Sequence, residues 1–119
     1  MTIAAIDPLA ALRVVCGIWF LPHSIGKMRN VDAASGTFRK AGFRPPRTFV
    51  IVTILLELMA GTGLTFGIFE KTATALAVVV LAGAGYAVVK INGFNWRWQK
   101  SGPEYMVFWA IACVLSGWR

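Results

Sequence analysis

Residues 48–69 read TFVIVTILLELMAGTGLTFGIF and carry a single charged side chain, Glu57. Residues 72–89, TATALAVVVLAGAGYAVV, carry none. Each stretch is about as long as the roughly 20 apolar residues that a helix needs to cross a bilayer. A chain of 119 residues has too few other residues to bury two such helices in a soluble core. The two stretches therefore predict an integral membrane protein.

Two further segments, one near each end of the chain, are also apolar enough to span. The first opens at Asp7-Pro8, where the aspartate suits a helix N-cap and proline suits the first helical position. The last is short, at residues 103–118. We therefore expect one all-α domain over residues 1–119, an integral membrane four-helix bundle of up-down topology. Its spans are expected at about residues 8–29, 46–67, 71–91 and 103–118. The first twelve residues hold no Lys or Arg, so we expect no cleavable signal peptide.

The segments between spans have the chemistry of a membrane surface. Between spans one and two we expect a short amphipathic helix, which Asp32 can cap and Gly42 can end. After span three, Trp96, Arg97 and Trp98 are predicted to anchor the chain at the interface.

Basic residues predict the orientation. The opposite ends of the spans hold only Lys71 and Arg119, whereas the two loops after spans one and three hold nine basic residues: Lys27, Arg29, Arg39, Lys40, Arg44, Arg47, Lys90, Arg97 and Lys100. Because basic loops stay in the cytoplasm, we expect a multi-pass protein of a bacterial-type inner membrane with both termini outside. The net charge of +7 then reflects topology and attraction to anionic lipid. It does not indicate a partner among nucleic acids.

Polar residues inside the spans are the candidate site. Arg13, His23 and Lys27 fall within an arc of about 80° on one face of span one. Such a face should point into the bundle, because lipid penalises a charge. Glu57, midway along span two, is the expected partner of Arg13, so Arg13, His23 and Glu57 form the predicted polar centre. Pro22 leaves the carbonyl of Ile18 without its helical donor and should kink the first span there.

This centre admits a structural and a functional interpretation. An Arg–Glu pair can simply fix which helices pack together, and His23 can be a satisfied core residue. Alternatively, the centre binds a ligand, a quinone or a proton. Lys27 is expected to be an interfacial anchor, Glu104 a capping carboxylate and Tyr105 an interface tyrosine; these three are secondary site candidates.

The remaining candidates for redox chemistry are few. Cys16 and Cys113 are interpreted as small hydrophobic residues, although adjacent first and last spans would allow a disulfide. The sequence has one histidine and no paired Cys motif, so no metal or evident cofactor ligand set is predicted, and only a quinone is retained as a candidate cofactor.

Four stretches resemble the DoxX family of small four-helix membrane proteins: LRVVCGIWFLPHSIGK at 12–27, AGFRPP at 41–46, LLELMAGTGLTFGIFEKTATAL at 55–76 and SGPEY at 101–105. The family's characteristic polar and glycine positions correspond to Arg13, His23, Lys27, Glu57, Gly61 and Glu104. The resemblance implies a membrane subunit near redox chemistry. Relatives serve in thiosulfate:quinone oxidoreductase, or resemble an anchor that gathers a superoxide dismutase and a sulfurtransferase.

These observations favour an accessory subunit of an oxidoreductase complex over a stand-alone enzyme. In that interpretation the Arg13–Glu57–His23 centre contributes a quinone or proton site. The alternative is a non-catalytic anchor or assembly scaffold, and a small transporter would require oligomerisation. The expected partners are the lipid bilayer and either other redox subunits or further copies of this chain.

Overall fold

The computed structural model describes residues 7–95, 97 and 102–118, and its regular elements there are all α-helices. These are α1 (Pro8–Ile18), α2 (Phe20–Arg29), α3 (Val31–Lys40), α4 (Pro46–Phe66), α5 (Glu70–Asn92) and α6 (Glu104–Gly117). Helices α1 and α2 together form an apolar segment of 22 residues, and α4 and α5 are comparably long. These three segments are long and apolar enough to cross a membrane, whereas α6 has 14 residues.

The first segment begins and bends where its sequence predicts. The Asp7 carboxylate accepts a hydrogen bond from the backbone N–H of Leu9 at 3.1 Å, and Pro8 occupies the first turn. The helix is interrupted at Trp19, which separates α1 from α2. Pro22 lies three residues further on and has no N–H for the carbonyl of Ile18, which accounts for an interruption of the helix at this level.

The short helix expected between the first two spans is α3, but its N-cap differs from the expected one. The side chain of Asn30 accepts a hydrogen bond from Ala33 N at 3.0 Å. Asp32 lies inside the first turn and pairs with Arg47 at 3.0 Å, so its predicted capping role is wrong. The helix starts at Val31 and its N-cap is Asn30, which leaves Asp32 two residues too late to be the cap.

The end of α3 follows the prediction and packs onto the next helix. Gly42 has φ +93°, a left-handed conformation that favours glycine and directs the chain away from the helix. Phe43 then contacts Phe38 and Phe49, with ring centroids 5.5 and 5.1 Å apart. This aromatic contact holds α3 and its loop against the start of α4.

Four helices enclose the core. Helix α1 packs against α4 and α6, and α5 packs against the same two helices, while α2 and α3 both lie on α4. Phe20, Leu64 and Cys113 are among the side chains buried at the centre.

Glycines set how α1 meets α4. A Cβ atom on Gly17 would lie 2.6 Å from Thr65 Oγ1 and 2.8 Å from the carbonyl oxygen of Gly61. A Cβ atom on Gly61 would lie 3.2 Å from Phe20 Cβ. The two backbones therefore approach more closely than larger residues would allow, which is a common device in membrane helix packing. The same register, continued along the helices, brings Glu57 to the level of Ser24.

Candidate functional site

A buried ion pair joins α2 to α4. Lys27 Nζ lies 2.9 Å from Glu57 Oε1, and the Glu57 side chain is only 4% exposed. The Lys27 side chain is 23% exposed, so the pair lies just beneath the surface of the bundle. A lysine here reaches inward to a carboxylate instead of outward to the interface. The expectation that Lys27 is only an interfacial anchor is therefore wrong.

A second ion pair lies at the other end of span one. Arg13 Nη1 contacts Glu70 Oε1 at 2.7 Å, and Arg13 Nε donates to the carbonyl oxygen of Leu64 at 2.9 Å. The backbone at Gly67 adopts φ +70° beside the guanidinium. Arg13 thus links α1 to the end of α4 and the start of α5.

The predicted Arg13–Glu57 pair is therefore wrong. That pair would require the middle of α4 to lie level with the middle of the first span, but the close approaches of Gly17 to Thr65 and of Phe20 to Gly61 set a different register. Glu57 consequently lies level with the end of span one that carries Lys27. Arg13 faces the opposite end of α4, where Glu70 is the available carboxylate.

Ser24 adds an unexpected polar group to the Lys27–Glu57 pair. It is fully buried at 0% exposure, and its hydroxyl has no hydrogen-bond partner in the described part of the chain. It precedes Lys27 by one helical turn. A buried hydroxyl without a partner is costly, so this position suits a water molecule or a ligand oxygen. Nothing in the sequence indicated that the hydroxyl would be left unpaired.

His23 is held against an aromatic cluster. Its ring lies 5.2 Å from the ring of Trp109 on α6, and Trp109 also lies 4.3 Å from Phe20, measured between centroids. The indole Nε1 donates to the carbonyl oxygen of Cys16 at 3.3 Å. His23 and Glu57 thus lie on neighbouring helices, but the structure does not join His23 to Arg13.

An apolar groove of about 230 Å³ runs between α1 and α6 beside this cluster. Its walls are mostly aliphatic and aromatic, and Trp109 separates it from His23. The lining residues are Leu12, Val15, Cys16, Trp19, Tyr105, Phe108, Trp109 and Ala112. The groove therefore connects the outer, lipid-facing surface with the aromatic partner of His23.

The other two secondary candidates, Glu104 and Tyr105, belong to neither of these ion pairs. Glu104 is the first residue of α6, whereas the carboxylate of a capping box lies at the third helical position. The Glu104 carboxylate oxygens have no hydrogen-bond partner among the described residues. The capping prediction is therefore wrong. Tyr105 is 48% exposed at the groove, and Arg97 is exposed. Trp96 and Trp98 lie outside the described residues.

The comparison with protein families identifies the family to which the chain belongs. The DoxX family matches residues 9–90, well over half of the chain. The chain belongs to the DoxX family. The matched region contains both buried ion pairs and ends before α6. As a DoxX protein with three long apolar segments, it is a multi-pass membrane protein whose helices contact the lipid bilayer. No curated protein and no solved structure matches the chain.

Proposed function

We propose that this DoxX protein is an accessory membrane subunit of an oxidoreductase assembly, in which His23, Ser24, Lys27 and Glu57 form a quinone-head-group or proton site. The observation that supports this most directly is the Ser24 hydroxyl, fully buried and unpartnered one turn from a buried ion pair. Polar groups inside a membrane are costly and mark functional pathways more often than surface charges do.

The membrane arrangement is part of the proposal. The closed contacts among α1, α4, α5 and α6 support an up-down four-helix bundle in which α6 also spans. With 14 residues, α6 is about 21 Å long, so it fits an upright orientation or locally thinned lipid. The excess of basic residues in two loops supports an inner-membrane location with both termini outside.

The residues fit a quinone head group by their hydrogen-bonding chemistry. Quinone carbonyl oxygens accept hydrogen bonds, and the Lys27 ammonium, the Ser24 hydroxyl and a His23 ring N–H can donate them. Glu57 and His23 can each carry a proton. The groove between α1 and α6 offers an apolar path for an isoprenoid tail. A bound quinone would supply the two-electron chemistry that the side chains lack.

Quinone binding can be measured by quenching of tryptophan fluorescence, since Trp109 adjoins the site. The purified protein in nanodiscs is titrated with decylubiquinone. We expect saturable quenching by the wild type, and an apparent affinity lower by about two- to tenfold in Ser24→Ala and Glu57→Gln, since losing one hydrogen bond costs roughly 0.5–1.5 kcal/mol.

The exposed Arg47–Asp32 pair provides a matched control. Its side chains are 64% and 92% exposed, so the pair lies at the surface and not in the buried site. Asp32→Asn should therefore bind decylubiquinone like the wild type. Equal affinity in all variants, or quenching that never saturates, would contradict the proposed site.

A mild-detergent pull-down tests the proposed role as an accessory subunit, because such a subunit should co-purify with a redox protein.

A scaffold without a quinone site is the second candidate, and one observation favours it. Each of these two ion pairs joins two different helices: Arg13–Glu70 joins α1 to α5, and Lys27–Glu57 joins α2 to α4. Such pairs can serve only to fix helix packing. A scaffold would retain its redox partner in the pull-down and show no saturable quenching.

A further inference from the structure

The only two cysteines of the sequence meet across the bundle. Cys16 lies in α1 and Cys113 in α6, and both are buried, at 4% and 0% exposure. Helices α1 and α6 pack against each other, and both cysteines belong to the same cluster of buried side chains. Cysteines can be bridged only when their side chains come close to one another. The packing of α1 on α6 brings these two into one part of the core although they are far apart in the chain.

The pair lies behind the groove between α1 and α6. Cys16 lines the groove directly, and Cys113 follows the lining residue Ala112. Exposed apolar side chains flank the opening, with Val15 at 50% and Phe108 at 74% exposure. The groove thus opens towards lipid, which admits apolar molecules and excludes charged thiol reagents such as glutathione.

The backbone beside the pair is fixed in place. Trp109 Nε1 donates to the carbonyl oxygen of Cys16 at 3.3 Å, and this indole also packs on Phe20. One turn of α6 separates Trp109 from Cys113. The indole therefore ties α1 to α6 at the level of Cys16.

We propose that Cys16 and Cys113 are a redox-active dithiol, which a lipid-soluble quinone entering the groove oxidises to a disulfide between α1 and α6. The S–S bond forms and both S–H bonds break. Two electrons and two protons pass to the quinone, which leaves as the quinol. Thiol oxidation proceeds through a thiolate, whose proton passes to a quinone oxygen. The reaction needs none of the side chains of the proposed His23 site.

The experiment uses the reduced full chain in nanodiscs without oxygen. Decylubiquinone is added, the protein is denatured, and free thiols are counted with a maleimide-linked polymer while intact mass is recorded. We expect both thiols to disappear, the mass to fall by two hydrogen atoms, and one quinol to form per chain. Dithiothreitol should restore both thiols. Oxidised glutathione in the aqueous phase should leave them free.

Matched variants separate this reaction from the alternatives. Cys16→Ala and Cys113→Ala should each keep their remaining thiol and form no quinol. Asp32→Asn, which changes an exposed ion pair outside both proposed sites, should still form the disulfide. The proposal is overturned if the wild type keeps both thiols, or if its mass rises by a quinone, which would indicate arylation. Because the wild-type mass alone decides between these results, poor folding of a variant would not obscure the answer.

Discussion

At the scale of single residues, His23 decides whether the site handles protons. Histidine is the one side chain whose ordinary charge change falls near neutral pH. His23 stacks on Trp109, one residue after Pro22, and precedes the unpartnered hydroxyl of Ser24. It therefore lies between the Trp109 ring and the Lys27–Glu57 pair. A change in the charge of His23 there would alter its electrostatic interaction with a bound head group.

We expect His23→Gln to remain folded and inserted, because glutamine keeps a polar side chain of similar length. It cannot change charge between about pH 5 and 8. The apparent affinity for decylubiquinone should therefore vary with pH in the wild type and stay flat in the variant. Thermal stability is measured on the same samples. A variant with wild-type affinity and the same pH profile would remove His23 from the mechanism and favour the scaffold.

At the scale of helices, breaking the Lys27–Glu57 pair should lower stability, because its carboxylate is buried and the remaining charge would be unpaired. Glu57→Leu leaves Lys27 without its carboxylate at a nearly buried position, so we expect a loss of roughly 3 kcal/mol, at the lower end for broken buried pairs because Lys27 is partly exposed. Lys27→Met combined with Glu57→Leu should recover much of this loss, since two well-packed apolar side chains often replace a buried pair without cost.

The measurement is reversible unfolding of the purified protein in mixed micelles. The exposed Arg47–Asp32 pair again serves as the control, because breaking an exposed pair changes stability by about 1 kcal/mol or less. If Glu57→Leu alone is as stable as the wild type, the ion pair does not hold α2 on α4 in the way its geometry indicates.

The helices themselves were predictable from local signals, whereas their register was not. Asp7-Pro8 marks a helix start and Gly42 a helix end whatever the rest of the chain does. The partner of Arg13 depends instead on how far α1 slides along α4. That distance is set by the close approach of Gly17 to Thr65, which only the packed helices reveal. If one helix slides along its neighbour by one turn, roughly 5.4 Å, a polar side chain faces a different residue of that neighbour.

The same argument separates the parts of the candidate site. Sequence reasoning selected His23, Lys27 and Glu57 because polar side chains stand out in apolar helices. It missed Glu70, since a carboxylate near a helix end is ordinary there. It also could not show that the hydroxyl of Ser24 lacks a partner, because this depends on what the neighbouring helix presents at that level.

At the scale of the whole molecule, orientation follows from where the basic residues lie. Both loops that carry them lie at one end of the proposed bundle, whereas Lys71 lies at the other end, at the start of α5. The Lys27–Glu57 pair lies towards the basic end, and Arg13–Glu70 lies towards the other. The proposed site should therefore open nearer the cytoplasm, where protons and a cytoplasmic redox partner would reach it.

We expect both termini to face the periplasm, since nine basic residues lie in the two loops and only two at the opposite ends. Alkaline phosphatase folds only outside the cytoplasm, so fusion after Arg119 should be active, whereas fusion after Gly42, between α3 and α4, should be inactive. A cytoplasmic fluorescent reporter at the same two positions should give the opposite pattern. Phosphatase activity at Gly42 with none at Arg119 would show that the protein has the opposite orientation. The Lys27–Glu57 pair would then lie towards the periplasmic side.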